Sequence, residues 1–202
     1  MTTAFAEWGA AAAPRTGEQV SGDRCLVLES PNGLLIAGVD GVGHGPDAAE
    51  VAEIVLGVLR PYPDLPPTEL LRRCHMRLIG TRGAVVLLAR YDARTSRLSW
   101  AAIGQIAGVL IHADPKRRPR RQLLLSRQGI VGLSIFSASS SELTIEPGDT
   151  FVIATDGIHD SFVESAAIRD EPGRMAEEIL QQHRSQTDDA LVVVVRFKDR
   201  RQ

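Results

Sequence analysis

The chain has 202 residues, 44% hydrophobic and 24% charged, with a formal net charge of −2. These values suit one domain with a substantial core, or at most two small ones, and argue against a chain built to bind nucleic acid. Two cysteines, Cys25 and Cys74, are too few for a disulfide framework or a structural zinc site and fit a reducing cytoplasmic setting.

The N-terminal stretch MTTAFAEWGAAAAPR carries Glu7 and has no basic leading region, so it reads as a first strand and not as a signal peptide. No segment is a long uninterrupted apolar run, and no membrane span is expected. Residues 24–30 (RCLVLES) and 33–39 (GLLIAGV) flank Pro31, Asn32 and Gly33, which predicts a β-hairpin. The loop GVDGVGHG follows, and apolar residues at 48, 51, 52, 55, 58 and 59 then predict a helix from Pro46 to Arg60. The connector RPYPDLPPTE separates it from a second helix, TELLRRCHMRLI, with Thr68 as the expected N-cap.

A strand series comes next: GAVVLLARYD, SRLSWAAIG, IAGVLIH and RQLLLSR. ELTIE and TFVIATD flank the turn PGD, helical patterns cover roughly 158–168 and 173–184, and ALVVVVRF is the last strand. The total is about nine to eleven strands and four helices, mostly joined as hairpins, which is an α+β pattern with antiparallel sheets and segregated helices. Neither a repeat nor a linker interrupts it, so a single domain over 1–202 with no separate regulatory domain is expected.

Four carboxylate-bearing turns sit at strand ends. Asp23 precedes the first hairpin strand, Asp40 lies in GVDGVGHG, Asp156 ends TFVIATD, and Asp188 and Asp189 precede the last strand. Asp and Asp-Gly are common in turns for purely structural reasons, so spacing alone leaves an ordinary-turn reading open. The functional reading is a metal cluster. Oxygen ligands without clustered His or Cys select hard cations, Mg²⁺ or Mn²⁺. Two such cations neutralise converging carboxylates and can turn a bridging water into hydroxide aimed at a phosphate ester.

The motifs DGVGHG, TDGIHD and DDALVVVV, in this order, resemble those of the PPM superfamily of metal-dependent serine/threonine protein phosphatases, and most closely its SpoIIE-like bacterial branch. SWAAIGQIAGVLI is similar to that branch's glycine-containing strand pair, and LTIEPGDTFVIATDGI to its run into the second metal aspartate. The resemblance spans nearly the whole chain, and within the branch the short chain looks most like the stressosome phosphatase. It implies an α–β–β–α sandwich of two antiparallel sheets flanked by helix layers. It also implies two divalent cations, Mn²⁺ or Mg²⁺, and a bridging hydroxide held by Asp40. By the same resemblance, Asp40 bridges both metals, the Gly41 carbonyl and Asp156 each bind one, and Asp188 is favoured over Asp189 in the DD pair. Asp23 serves the second metal directly or through water. Gln105 stands where many relatives carry His, and the arginine that grips phosphate in the eukaryotic branch has no clear match. Arg24 is expected to point away from Asp23 along a regular strand.

Some residues keep two readings. His44 either protonates the leaving serine oxygen or fixes its loop by hydrogen bonds. Asp160 either holds a weaker third metal or caps a helix. The run Lys116, Arg117, Arg118, Arg120 and Arg121 is either a solvated hairpin tip or a docking surface for an acidic or phosphorylated partner. Without interleaved aromatic residues, the run does not suggest nucleic acid. The function implied is hydrolysis of phosphoserine or phosphothreonine on partner proteins, by resemblance the STAS-domain scaffold proteins of a stressosome, in the cytoplasm. The rivals are a catalytically weak binding module on the same fold and a hydrolase of small phosphate esters.

Overall fold

The computed structural model describes residues 1–134, 139–165 and 171–199. In chain order its elements are β1 (Ala6–Ala13), β2 (Asp23–Ser30), β3 (Gly33–Gly41), α1 (Gly45–Leu59), α2 (Pro67–Leu78), β4 (Ala84–Asp92) and β5 (Arg97–Ile103). Then come β6 (Ile106–Ile111), β7 (Arg121–Leu124), β8 (Ser141–Thr144), β9 (Thr150–Thr155), α3 (Phe162–Ser165), α4 (Pro172–His183) and β10 (Ala190–Phe197). The strands form two five-stranded sheets, in the orders β1-β10-β9-β6-β7 and β2-β3-β4-β5-β8. All the pairings within them are antiparallel.

Side chains alternate across a strand, and here both faces are buried. On β10, Leu191, Val193 and Val195 enter the core between the sheets, together with Leu34 and Ile36 of β3. Their neighbours Val192 and Val194 pack outward with Met175, Ala176 and Ile179 of α4. On β3, Leu35, Ala37 and Val39 pack outward with Val51, Ala52 and Val55 of α1 and Leu70 and Leu71 of α2. That double burial explains why these strands read as continuous apolar runs. The layers are therefore helices, sheet, sheet and helices, as the resemblance implied.

The helix starts follow proline. Pro46 occupies the first turn of α1. In α2 the capping position belongs to Pro66, and Thr68 lies inside the first turn without a side-chain cap bond. The fixed φ of Pro67 starts this helix two residues earlier than a Thr68 cap allows. The helix expected over 158–168 is a turn up to Ser161, and α3 begins at Phe162; residues 166–170 lie outside the described residues. Burial pushes the Cys25 thiol up to about 11 and the Cys74 thiol up to about 12, so both stay protonated at neutral pH. Among the described residues, no helix is long and apolar enough to cross a membrane.

Candidate metal centre

Asp23 and Asp40 are direct partners in the β2–β3 register, at the strand ends far from the Ser30–Gly33 turn. Asp40 shares strand parity with Leu34 and Ile36, which fill the space between the sheets. Its carboxylate is thus aimed into the rim of the sandwich. From the other sheet, Asp156 follows the last residue of β9, while Asp188 and Asp189 precede the first residue of β10. Asp40, Asp156 and Asp188 line one cleft of about 860 Å³, shared with Arg15, His44, Gln105, Ser126, Gln128 and Thr187.

Asp23 is 4% exposed and sits behind this cleft. The Thr155 hydroxyl donates to its Oδ2 at 2.7 Å and accepts the Leu191 N–H at 2.9 Å. One hydroxyl therefore ties β9 and β10 of one sheet to β2 of the other. This contact holds the acidic strand end in place whether Asp23 meets a cation directly or through water.

The two members of the DD pair have different surroundings. Asp188 faces the cleft. Asp189 is 3% exposed, and its two carboxylate oxygens accept backbone N–H groups from Arg15 at 2.7 Å and Gly22 at 2.6 Å. Asp189 thus spends its oxygens on closing loop 15–22, which leaves Asp188 the better donor for an ion.

Burial pushes Asp40 up to about 9, and the surrounding Asp23, Asp156, Asp188 and Asp189 add to the shift. Asp23 rises to about 7, mainly through burial, against the lowering effect of the Thr155 hydrogen bond. Burial and then Asp188 raise Asp156, with the backbone N–H groups of Asp156 and Gly157 opposing them. Like-charged neighbours thus add to the cost of burying each of these carboxylates in its ionised form. Among the described residues, no three acidic, histidine or cysteine side chains are arranged to hold an ion by themselves. The acidic donors that line the cleft, Asp40, Asp156 and Asp188, are all oxygen donors, a set that suits a hard cation of the Mg²⁺ type.

The glycine-rich loop runs tightly against α1. A Cβ on Gly41 would stand 2.1 Å from the Ala48 carbonyl oxygen, so only glycine lets the backbone pass here. His44 occupies the capping position of α1 without a capping hydrogen bond. Its Nδ1 instead meets Glu18 Oε1 at 2.7 Å. Asp160 is exposed and precedes α3; it lines a second cleft of about 360 Å³ that also includes Asp156 and Gln105. The Arg24 guanidinium donates to Glu53 Oε1 at 2.9 Å and to the Ser21 and Asp23 carbonyls at 2.7 and 2.8 Å, and makes no bond to the Asp23 carboxylate.

The basic run lies elsewhere. Arg121 pairs with Ile111 at the end of β6 remote from Ile106, and Ile106 pairs with Thr155 beside the centre. Five strand steps at about 3.4 Å put the run roughly 17 Å or more from the carboxylates. Arg117 forms an ion pair with Glu146 at 3.2 Å.

Sequence reasoning missed Arg15, Glu18 and Thr155. The first two lie in a loop without periodicity, brought to the site by Asp189 from 167 or more residues away. The signal for Thr155 was its place immediately before Asp156, where strand alternation turns it to the opposite side from its neighbour.

No curated protein matches the chain in sequence. Among solved structures, one from work on "the bacterial stressosome: a modular system that has been adapted to control secondary messenger signaling" is 30% identical, with a TM-score of 0.86 over 95% of this chain and 99% of that one. RsbX in complex with magnesium is 16% identical, with a TM-score of 0.86 over 98% of each chain. The PP2C phosphatase domain of the cell-fate determinant SpoIIE from Bacillus subtilis is 21% identical, with a TM-score of 0.75 over 96% of this chain and 64% of that one. The family described as Stage II sporulation protein E (SpoIIE) matches residues 30–198, a span that holds Asp40, Asp156 and Asp188. The chain belongs to this SpoIIE family of PPM-type phosphatases.

Proposed function

We propose that the protein is a Mg²⁺- or Mn²⁺-dependent phosphatase that removes phosphate from serine or threonine on STAS-domain scaffold proteins of a stressosome. The observation that carries this reading is the convergence of Asp40, Asp156 and Asp188, brought from both sheets, on one cleft. The 30% identity to a protein from work on the bacterial stressosome supports the choice of substrate. Two divalent cations, when bound, supply an activated water and neutralise charge on the phosphoryl oxygens.

The chain's own residues do the remaining work. Asp40, Asp156, Asp188 and the Gly41 carbonyl hold the cations, and Asp23, fixed by Thr155, supports them from behind. The Arg15 side chain gives the cleft wall a positive charge where phosphoryl oxygens arrive. Gln105, Ser126, Gln128 and Thr187 extend the cleft beyond the carboxylates and offer neutral hydrogen-bonding groups to a peptide backbone. That extension favours a protein substrate over a small ester. The basic run, at the far end of the sheet, reaches a part of a partner remote from the phosphoryl group.

The test is incubation with phosphorylated STAS-domain scaffold proteins, with Mn²⁺ or with chelator, followed by mass spectrometry of the phosphosites. Phosphate loss that depends on the metal supports the reading. Phosphosites that survive Mn²⁺-loaded enzyme, or loss that is equal with chelator, overturn it.

A further inference from the structure

We propose that the outer edge of β7 is a docking strip for an acidic, extended segment of the phosphoprotein substrate, which adds to the sheet as a further strand. The inference rests on the phosphatase reading above and deepens it by naming how the substrate is held. The docking itself is tested without turnover.

β7 (Arg121–Leu124) ends the order of its sheet, and among the described residues no strand pairs with it on the side away from β6. The ladder decides which of its backbone groups face that edge. His112 N–H donates to the Arg120 carbonyl at 2.9 Å, so these two residues are a hydrogen-bonded pair. Two and four residues on, Leu110 with Gln122 and Gly108 with Leu124 hold the same relation. Leu123 lies between them, so its N–H and carbonyl turn away from β6 and toward the edge.

The side chains give the strip a charged half and an apolar half. Leu124 packs into the core between the sheets. Leu123, on the opposite face, is 55% exposed, and Leu125, the next residue past the strand, is 84% exposed. Natural sheets usually cover such an edge or break it with charge. Here the charge is confined to one end, where Lys116, Arg117, Arg118 and Arg120 are exposed just before the strand. Asp114 and Glu146 stand beside the run and leave it net positive. Other edges are closed differently. On β1, Trp8 N–H donates to the Met1 carbonyl at 2.9 Å, and on β8, Glu142 pairs with Arg97 at 3.0 Å.

The strip also leads to the site. Ser126 and Gln128, immediately beyond Leu125, line the cleft that holds Asp40, Asp156 and Asp188. From Arg121 to Ser126, five strand steps span about 17 Å. A segment laid along β7 therefore starts against the basic residues, covers the two leucines and arrives at the cleft. The occupant selected is a segment with acidic residues at one end and apolar residues at alternate positions opposite the leucines. Its phosphoserine stands about six to eight residues from the acidic end. Main-chain hydrogen bonds supply affinity, while the alternate side chains and the charges set the register. A second copy of this chain fits worse, because it brings a second basic run to the same edge.

The experiment uses the whole protein and synthetic peptides of about ten residues, enough to span the strip with an overhang. The docking peptide carries acidic residues followed by valine alternating with serine, without phosphate. Its isomer has the same composition, with the valines consecutive and the acids dispersed. Hydrogen exchange followed by NMR on the metal-free protein should show the Leu123 amide slowed about tenfold or more by the docking peptide. The pair Leu123→Ser with Leu125→Ser should weaken binding of this peptide about tenfold, as should Leu123→Pro, which removes the outward N–H and leaves the bonds to β6 in place. If the thermal melt shows that Leu123→Pro does not fold, the serine pair and the exchange rate carry the test. Joined to a phosphoserine, the docking half should lower KM about tenfold against the bare phosphopeptide at unchanged kcat. The serine pair should abolish that gain and leave kcat on the bare phosphopeptide as in wild type.

A Leu123 amide that exchanges equally fast with and without the peptide overturns the proposal. Equal binding of the isomer does so too, because charge alone would then explain the attraction. Protection of Leu123 that grows with protein concentration in the absence of peptide assigns the edge to a second copy and overturns it as well. A wild type inactive on both phosphopeptides defeats the phosphatase reading, while the exchange result still judges the docking strip.

Discussion

The buried carboxylate of Asp189 accepts the Gly22 N–H at 2.6 Å, across 167 positions of sequence. With the matching bond from Arg15, it closes loop 15–22 against the start of β10, one residue from Asp188. Two adjacent aspartates therefore do different things: one faces the cleft and the other fastens a loop.

Asp188→Asn and Asp189→Asn should separate these roles. Asp188→Asn is expected to abolish metal-dependent turnover while leaving the thermal melt of the metal-free protein near that of wild type. Asp189→Asn removes a charged acceptor from two buried N–H groups, which costs about 1.5–3 kcal/mol. At roughly 2–4 °C per kcal/mol for a chain of this size, the melt should fall by several degrees. The reverse pattern would show that Asp189 is the ligand.

Stability of the metal-free protein should fall as pH rises. Asp23 and Asp40 lie above the ordinary value of 3.8, at about 7 and about 9. The folded chain then binds more protons than the unfolded chain, so their contribution is fully present below about 4 and is lost as pH climbs toward about 9. Thermal melts between pH 5 and pH 9 in chelator check this, and Asp40→Asn should flatten the slope. Mg²⁺ replaces the protons, so its affinity should increase over the same interval. At a hundredfold excess over Kd it should add about 2.7 kcal/mol.

Gly157→Ala tests how tightly the Asp156 turn is packed. A Cβ at this position would stand 1.9 Å from the Asp189 carbonyl oxygen, a backbone atom that cannot swing aside. The expected loss is about 1–3 kcal/mol, the range for overpacking, read by urea denaturation. Turnover should fall with it, because the clash pushes Asp156 and Asp188 apart. A variant as stable and active as wild type would show that the turn relaxes freely.

The basic run can be checked with a size series of substrates. Neutralising Lys116, Arg117, Arg118, Arg120 and Arg121 should slow turnover of a whole phosphoprotein at low salt. A short phosphopeptide that reaches only the cleft should lose less. Screening over about 8–10 Å means that the run cannot act on the phosphoryl group directly. Equal losses on both substrates would instead indicate damage to the β6–β7 hairpin.

Much of this molecule is legible in its sequence because local rules and tertiary packing agree. The Pro31–Gly33 turn and the unbroken apolar runs of β3 and β10 each state their structure within about eight residues. The acidic turns were legible too, since each marks a strand end. The partition of Asp188 and Asp189 was not a local property. It depends on Arg15 and Gly22, which only the folded chain brings near. Glu18 left no trace either, because a single carboxylate in an aperiodic loop looks like any solvated residue until its distance to His44 is known. Thr68 is the opposite case: a sound local rule overruled by the proline beside it.

Ala6, where β1 begins, pairs with Phe197, where β10 ends, while Ala13 pairs with Ala190 beside the acidic turns. The chain thus enters and leaves the sandwich at the end opposite its cleft, roughly 24 Å away along seven strand steps. A fluorophore, an affinity tag or a surface tether attached beside Ala6 or Phe197 stands away from the cleft. Immobilised through such a handle, the phosphatase presents its open face to solution, which suits it to measurements of single binding events on a sensor surface.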